Sequence, residues 1–500
     1  MTKLEELKAK SAEIVDVQRA AAVLSWDQHA FMPVGGASAR AEQLATLGKI
    51  SHQLLVNSEM EKLLAAVKLE VEGMGPDSDD FAYWRAAQRN YDRFAKIPTD
   101  LVARLSKATS LANEKWVEAR SKSDFSIFQP NLEELLGLQL EMAKDLGYQD
   151  SPYDPLLDLY EPDMKAHQVR AIFTELKAGL VPIVAAIANS GRQIQKDFLM
   201  TEYELADQEA FTLELLKAIG YDFRRGRQDK VPHPFTTTFS SGDVRVTNRF
   251  MPNRAASSFF SALHEGGHAL YEQGVRADFD HGFLGGGTST AVHESQSRMW
   301  ENIVGRSLPF WTHWFPALQK QFENQLRGVT AEEYWKAVNT VEPSAIRVEA
   351  DEVTYNLHII LRFEIEVDLV EGRLAVKDLP EAWNAKMKAL LGYEVKDDAE
   401  GVLQDVHWSM GYFGYFPGYA LGNLLSVQFY QRAQADIPNL SEQMADGHYE
   451  VLLAWLHSNI HQHGSKYTPT ELVRRVTGGE IDPKLFLVYL KEKYGQIYGI

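Results

Sequence analysis

Ser257-Ser-Phe-Phe-Ser-Ala-Leu-His264-Glu265-Gly-Gly-His268-Ala-Leu-Tyr-Glu-Gln-Gly274 is the stretch on which the reading of this chain turns. Ser257 or Ser258 can cap a helix and Gly274 can close it, so the run between them predicts a helix. Four residues turn a helix through about 400°, so His264 and His268 project from one face a turn apart, where two imidazoles can share one small ion. Glu265, one position on, is too far around to join that pair easily but can reach water held by the ion. Gly266 and Gly267 each cost about 1 kcal/mol relative to alanine in a helix interior, which predicts close approach by another backbone or by a substrate.

Two histidines are half a zinc site; a catalytic centre needs a third protein ligand and an open position. A glycine at 271 and a histidine at 274 would supply the metzincin pattern, but the residues there are Tyr271 and Gly274. After the glycine-rich Gly282-Phe-Leu-Gly-Gly-Gly287, helical character returns at Thr290-Ala-Val-His293-Glu294-Ser-Gln-Ser-Arg298. A pair of helices with such a connection would bring a carboxylate back to the ion, making Glu294 the third ligand. His293 is the rival, and because neighbouring helix positions diverge by about 100°, only one of the two binds.

Outward from this core, most of the chain repeats at helical period: Leu4, Leu7, Ile14 and Val17 first, then 103–119, 166–188 and 206–219, and a long run from Pro343 to about Gly372. Phe235-Thr-Thr-Thr-Phe239 and Val244-Arg-Val-Thr247 alternate instead about a Gly-containing turn, predicting a β-hairpin. No repeat or low-complexity linker divides the chain, so residues 1–500 read as one large, mostly α domain folded as two lobes around a cleft. With 51 basic and 69 acidic residues the net charge is −18, which argues against nucleic acid and anionic membrane as partners. The longest apolar stretch, Gly179 to Ala188, contains Pro182 and falls short of the ~20 residues of a spanning helix. Cysteine is absent, which excludes disulfides, thiolate metal clusters and a cysteine nucleophile; with a charged, helix-periodic start this leads us to expect a cytoplasmic protein.

At these residues the chain resembles the carboxypeptidase Taq family of metallocarboxypeptidases. The likeness extends from Leu24-Ser-Trp26-Asp27 and His233-Pro234-Phe235 through Asp243-Val-Arg245-Val-Thr247, His264 to His268 and His293-Glu294-Ser295. It continues into Ile346-Arg347-Val-Glu-Ala-Asp351-Glu352 and Gly401-Val-Leu-Gln404-Asp405-Val-His407-Trp408. The resemblance implies a helical fold with a deep groove, similar to neurolysin and angiotensin-converting enzyme, with a small sheet near the active site. It implies a homodimer that removes residues from the free C-terminus of peptides; the absence of an obvious acidic specificity residue near the motifs suggests broad side-chain preference. It also implies His264, His268 and Glu294 as ligands to one zinc ion per chain, replaceable by cobalt, with Glu265 as general base. Related zinc enzymes often carry an aspartate four residues after the glutamate ligand; here that residue is Arg298, so the carboxylate orienting a histidine must be another, Glu301 or Glu272.

A terminal carboxylate suits an arginine fork. Arg347 is the first choice and Arg245 the second, although Arg347 at helical spacing could instead pair with Asp351. For the developing oxyanion, His407 is the candidate donor with a tyrosine from Tyr412, Tyr415 and Tyr419, of which Tyr415 is preferred. His233 either lines the groove or shapes a turn beside Pro234, and His29 either closes the groove or packs. His457 and His461 repeat the i, i+4 spacing without an intervening glutamate, and with His463 read as solvated surface. Two rivals share these features: a zinc endopeptidase or dipeptidase, and a noncatalytic peptide-binding protein that keeps the groove.

Overall fold

A computed structural model describes residues 1–500. Its first four helices are α1 (Lys3–Ala30), α2 (Ala37–Leu55), α3 (Ser58–Glu70) and α4 (Asp79–Ala95). Thr2 starts α1 with a capping box: its hydroxyl accepts from the Glu5 N–H, and the Glu5 carboxylate accepts from the Thr2 N–H. These helices bury Leu7, Ile14, Leu63 and Val67 in a small core of their own, which also takes in Val275, Phe279 and Leu284 from the chain before and within the glycine-rich loop.

A far larger core of 100 buried residues holds the rest together. It is built on α5 (Thr99–Lys122), α6 (Gln129–Leu146), α7 (Ala166–Asn189), α8 (Leu205–Ala218), α9 (Ala255–Gln273), α10 (Thr290–Arg298), α11 (Tyr355–Val370), α12 (Pro417–Asp436) and α13 (Pro483–Tyr498), with shorter helices between. The molecule is therefore mostly α, with two unequal cores. Charged pairs bridge the two bodies: Arg85 to Glu471 at 2.7 Å and Lys466 to Asp79 at 2.6 Å.

Helix α7 forms where 166–188 predicts it but departs from the expectation that its apolar stretch is too short to span. Pro182 sits inside it, and the 24-residue helix is long and apolar enough to cross a membrane by length and composition. Its stripe of Val169, Phe173, Leu176, Leu180, Ile183 and Ile187, spaced three and four apart, is buried in the large core.

One small sheet, ordered β1-β3-β2, interrupts the helices. The anticipated hairpin is β2 (Thr236–Ser240) against β3 (Asp243–Asn248), antiparallel, with Thr236 opposite Val246 and Thr238 opposite Val244. The parallel strand β1 (Gln228–Lys230) was not anticipated, since three residues are too few to show alternation.

The expected helix from Pro343 does not form before Tyr355; only a 3₁₀ turn at Arg347–Glu349 precedes it. Asp351 explains the delay. Its carboxylate accepts from the N–H groups of Glu342, Val353 and Thr354 and from the Thr354 hydroxyl, offering the backbone partners that a helix would otherwise provide.

Candidate functional site

Helix α9 begins at Ala255, slightly ahead of the anticipated serine cap, and ends at Gly274. It crosses α10 at Gly267, where a Cβ would stand 2.6 Å from both the Gln296 carbonyl oxygen and Ser297 Cα; the expected close approach is therefore backbone on backbone. On the other side of α10, a Cβ on Gly422 of α12 would lie 2.6 Å from Glu294 Cβ. Glycines on two helices thus leave Glu294 one narrow slot. The start of α10 is pinned as well: Ser289 accepts from the Val292 N–H, Tyr160 O from the Thr290 N–H, and the buried Glu161 carboxyl from the Ala291 N–H.

Glu294 Oε2 consequently lies 4.0 Å from His264 Nε2 and 3.6 Å from His268 Nε2, and the three donor atoms are all within 4.8 Å of one another. Ligands about 2.1 Å from a tetrahedral ion stand roughly 3.4 Å apart, so two imidazole nitrogens and a carboxylate oxygen at these spacings fit one small divalent ion.

Each histidine is held from behind. His264 Nδ1–H donates to Glu301 Oε2 at 2.9 Å. Arg298 ties the two carboxylates together, donating from Nε to Glu294 Oε1 at 2.7 Å and from Nη1 to Glu301 Oε2 at 3.1 Å. His268 Nδ1 meets His293 Nδ1 at 2.6 Å, and His293 Nε2 meets Glu272 Oε1 at 2.8 Å. Both candidate carboxylates therefore reach the site, Glu301 directly and Glu272 through His293. His293, the rival ligand, has both ring nitrogens engaged and stands outside the three-residue cluster. Burial lowers the His268 imidazole well below its usual pKa, aided by His293 and His264, so it stays neutral with a lone pair to give. For His264 burial acts the same way, but Glu294 and Glu301 outweigh it and raise the ring.

Glu265 is buried and its carboxyl is raised by that burial. The Thr236 hydroxyl of β2 contacts both Glu265 Oε2 at 2.7 Å and the Glu265 carbonyl at 2.9 Å, fixing the carboxylate beside the histidines. His264, Glu265, His268 and Glu294 all open onto a groove of about 1020 Å³, walled by Thr236 and Thr238 of β2, by Arg85, Arg89 and Arg93 of α4, and by Tyr160, Tyr415 and Tyr419. Tyr415 keeps its proton, pushed up to about 12 by burial and the neighbouring Glu294 charge. His407 stands behind Tyr419, with Nε2 3.2 Å from the tyrosine hydroxyl, and does not line the groove itself. Burial holds its imidazole down to about 3.

The arginine expectations need correction. Arg347 is only 6% exposed and lies off the groove: its Nε and Nη2 take Asp405 Oδ1 at 3.0 and 2.9 Å, and its Nη1 donates to the Tyr355 hydroxyl at 2.9 Å. Its fork is already filled, and the alternative pairing with Asp351 is absent because the intervening residues are not helical. Arg245 grips Asp243 at 2.9 and 2.8 Å and lies over the Trp26 and Phe239 rings, again outside the groove. His233 is exposed beyond the edge that Pro234 and Phe235 form. His29 packs near Phe235 and Tyr412 is exposed, both off the groove wall. His461 is fully buried against Gln296 Oε1, at 2.9 Å, instead of being solvated. Sequence reasoning missed Thr236, the Tyr419 link to His407, and Glu161. Thr236 had a signal in the predicted hairpin, whereas Glu161 comes from over a hundred residues away and had none.

A largely helical protein that aims two histidines and a glutamate at one point, sets a second glutamate beside them and opens all four onto a long groove has the constitution of a metal-dependent peptidase. Comparison with known proteins narrows this. Residues 6–494 match the model of the family described as carboxypeptidase Taq (M32) metallopeptidase, and the chain belongs to that family. It is 42% identical to thermostable carboxypeptidase 1 of Thermus thermophilus, over 96% of this chain and 95% of that protein. It is 38% identical to thermostable carboxypeptidase 1 of Pyrococcus furiosus, over 98% of each. The crystal structure of the M32 carboxypeptidase from Deinococcus radiodurans R1 superposes with a TM-score of 0.96 at 41% identity, covering 100% of both chains.

Proposed function

We propose that this peptidase is a zinc carboxypeptidase, one ion per chain with cobalt able to substitute, which removes residues singly from the free C-terminus of peptides with broad side-chain preference. The observation that carries the reading is the convergence of His264 Nε2, His268 Nε2 and Glu294 Oε2 within 4.8 Å, with Glu265 alongside at the groove wall. Bound by those three side chains, the ion would supply Lewis acidity toward the scissile carbonyl and toward water.

The chain's own groups do the rest. Glu265, aimed by Thr236, accepts the proton from the attacking water and returns it to the departing amide nitrogen, so no acyl-enzyme forms. Tyr415 and Tyr419 line the groove and serve as donors to the carbonyl oxygen as it gains charge, with His407 Nε2 at the Tyr419 hydroxyl. The upstream part of the peptide lies in the long groove under α4. Family membership and the absence of cysteine support placing the enzyme in the cytoplasm as a homodimer of single-domain, two-lobed chains.

The decisive experiment is Glu265→Gln with metal content and turnover measured together. Retained zinc with hydrolysis reduced by about two to four orders of magnitude is expected. Undiminished turnover overturns the mechanism. A free-ended peptide compared with its C-terminally amidated twin separates this reading from an endopeptidase, which would cut both.

A further inference from the structure

The two histidines of the metal cluster are backed differently, and the difference points to residues with no place among ligands or base. Behind His264 stands one carboxylate, Glu301. Behind His268 stands an imidazole, and a carboxylate only beyond it.

Two Nδ1 atoms 2.6 Å apart can form a hydrogen bond only if one carries the proton and the other its lone pair. Glu272 settles which. Its Oε1 is 2.8 Å from His293 Nε2 and also accepts from the Gly287 N–H at 3.0 Å; a carboxylate so placed calls for a proton on His293 Nε2. His268 can offer its Nε2 lone pair to an ion beside Glu294 only with its own proton on Nδ1, and His293, with its proton on Nε2 toward Glu272, then presents Nδ1 as the acceptor.

The surrounding packing is built for this arrangement. A Cβ on Gly287 would stand 2.7 Å from His293 Cδ2 and 2.7 Å from Tyr271 Cε1, so the glycine-rich loop lies directly against the imidazole while its N–H secures Glu272. Tyr271 packs against the same imidazole, 5.1 Å between ring centres.

The geometry assigns His293 and Glu272 a shared role as positioning residues that act through His268, fixing its tautomer and ring plane so that Nε2 is presented to the metal. Glu272 stands outside the three-residue cluster and meets it through His293. This assignment rests on the metal-site reading above, and its test keeps the two apart.

Zinc affinity and dissociation rate are measured by competition with a chromophoric chelator for the parent protein, His293→Leu, His293→Gln, Glu272→Gln and the double variant His293→Leu/Glu272→Gln. Metal-free melting curves serve as the folding check. His293→Leu and Glu272→Gln should each weaken zinc binding about 10- to 100-fold. The double variant should lose no more than His293→Leu alone, because Glu272 works only through the ring that is gone. His293→Gln, whose amide oxygen can accept from His268 Nδ1, should recover part of the loss. The cobalt-loaded protein should show a shifted visible spectrum in His293→Leu, a change that destabilisation without altered ligand geometry would not produce.

Affinity of His293→Leu within about twofold of the parent overturns the assignment, as do losses that simply multiply in the double variant. If His293→Leu fails to fold, His293→Gln and Glu272→Gln carry the test, and parental affinity in both overturns it equally. A parent protein that binds no zinc would refute the metal reading itself, a distinguishable outcome.

Discussion

Replacing Gly267 with alanine should disable metal binding out of proportion to its effect on stability. The new methyl would sit 2.6 Å from the Gln296 oxygen, 2.6 Å from Ser297 Cα and 2.9 Å from Gln296 C, all backbone atoms of α10. Non-bonded carbon atoms prefer about 3.5–4.0 Å, so the two helices must part by about 1 Å. Glu294 lies two residues before Gln296 and moves with that turn, whereas a functional constellation tolerates only about 0.5 Å of displacement. The energetic terms are smaller. Overpacking costs about 1–3 kcal/mol, offset by about 1 kcal/mol of improved helix propensity. Chelator competition should therefore show zinc affinity reduced about 10- to 100-fold, the range of other changes around metal ligands, while the metal-free melting temperature falls by only a few degrees. Gly266→Ala is the control. Its methyl would meet only Leu216 Cδ2 at 2.8 Å and Ile219 Cδ1 at 2.9 Å, side-chain ends that can rotate aside, so affinity should be kept. Parental affinity in Gly267→Ala, or an equal loss in Gly266→Ala, would refute the reasoning.

Tyr415→Phe or Tyr419→Phe should lower kcat by about 100-fold for whichever hydroxyl meets the oxyanion, with zinc content unchanged; full activity in both removes the tyrosines from the mechanism. Arg347→Met leaves Asp405 buried with Arg362 as its remaining guanidinium partner and should cost about 3 kcal/mol in denaturant unfolding, a loss absent if the pair were solvated. Burial pushes Glu161 up to about 8 from an ordinary 4.5, so the folded protein holds this proton where the unfolded chain has released it. Its contribution is complete below about pH 4.5 and declines as pH rises toward 8; unfolding of the metal-free protein at about pH 5.5–8 should show a shallower decline in Glu161→Gln, and an unchanged slope would contradict the assignment.

The parts of the site legible in sequence are those written into one helix or its neighbour. His264 and His268 share a face by spacing alone, and Gly267 announces a crossing that proves to be α10. What spacing could not supply is anything decided by chains meeting from afar. Arg347 looks like a free fork because Asp405, 58 positions later, is invisible as its partner until the chain folds. Asp351 looks like a residue within a helix because its capture of three backbone N–H groups is a matter of turn geometry, not periodicity. Pro182 falls within the helical period of 166–188, and the apolar stripe on both sides has enough core to pack against to carry the helix through it. His293 and Glu294 are open rivals on angular grounds, and Glu272, from the end of the preceding helix, occupies the ring that competes.

The charged pairs joining the small N-terminal body to the rest have a bearing on how substrate gets in. Arg85 and Glu471 stand partly open to water, so parting that pair exposes ions that solvent welcomes, whereas Val275, Phe279 and Leu284 carry the small core into the glycine-rich loop and make the joint beneath an oily one. The α4 wall, through Ala82, Tyr83 and Ala87, is thereby held to that loop by apolar contact, with charge only at its rim. Admission of a long peptide is then set by the shape of an anchored wall more than by brine.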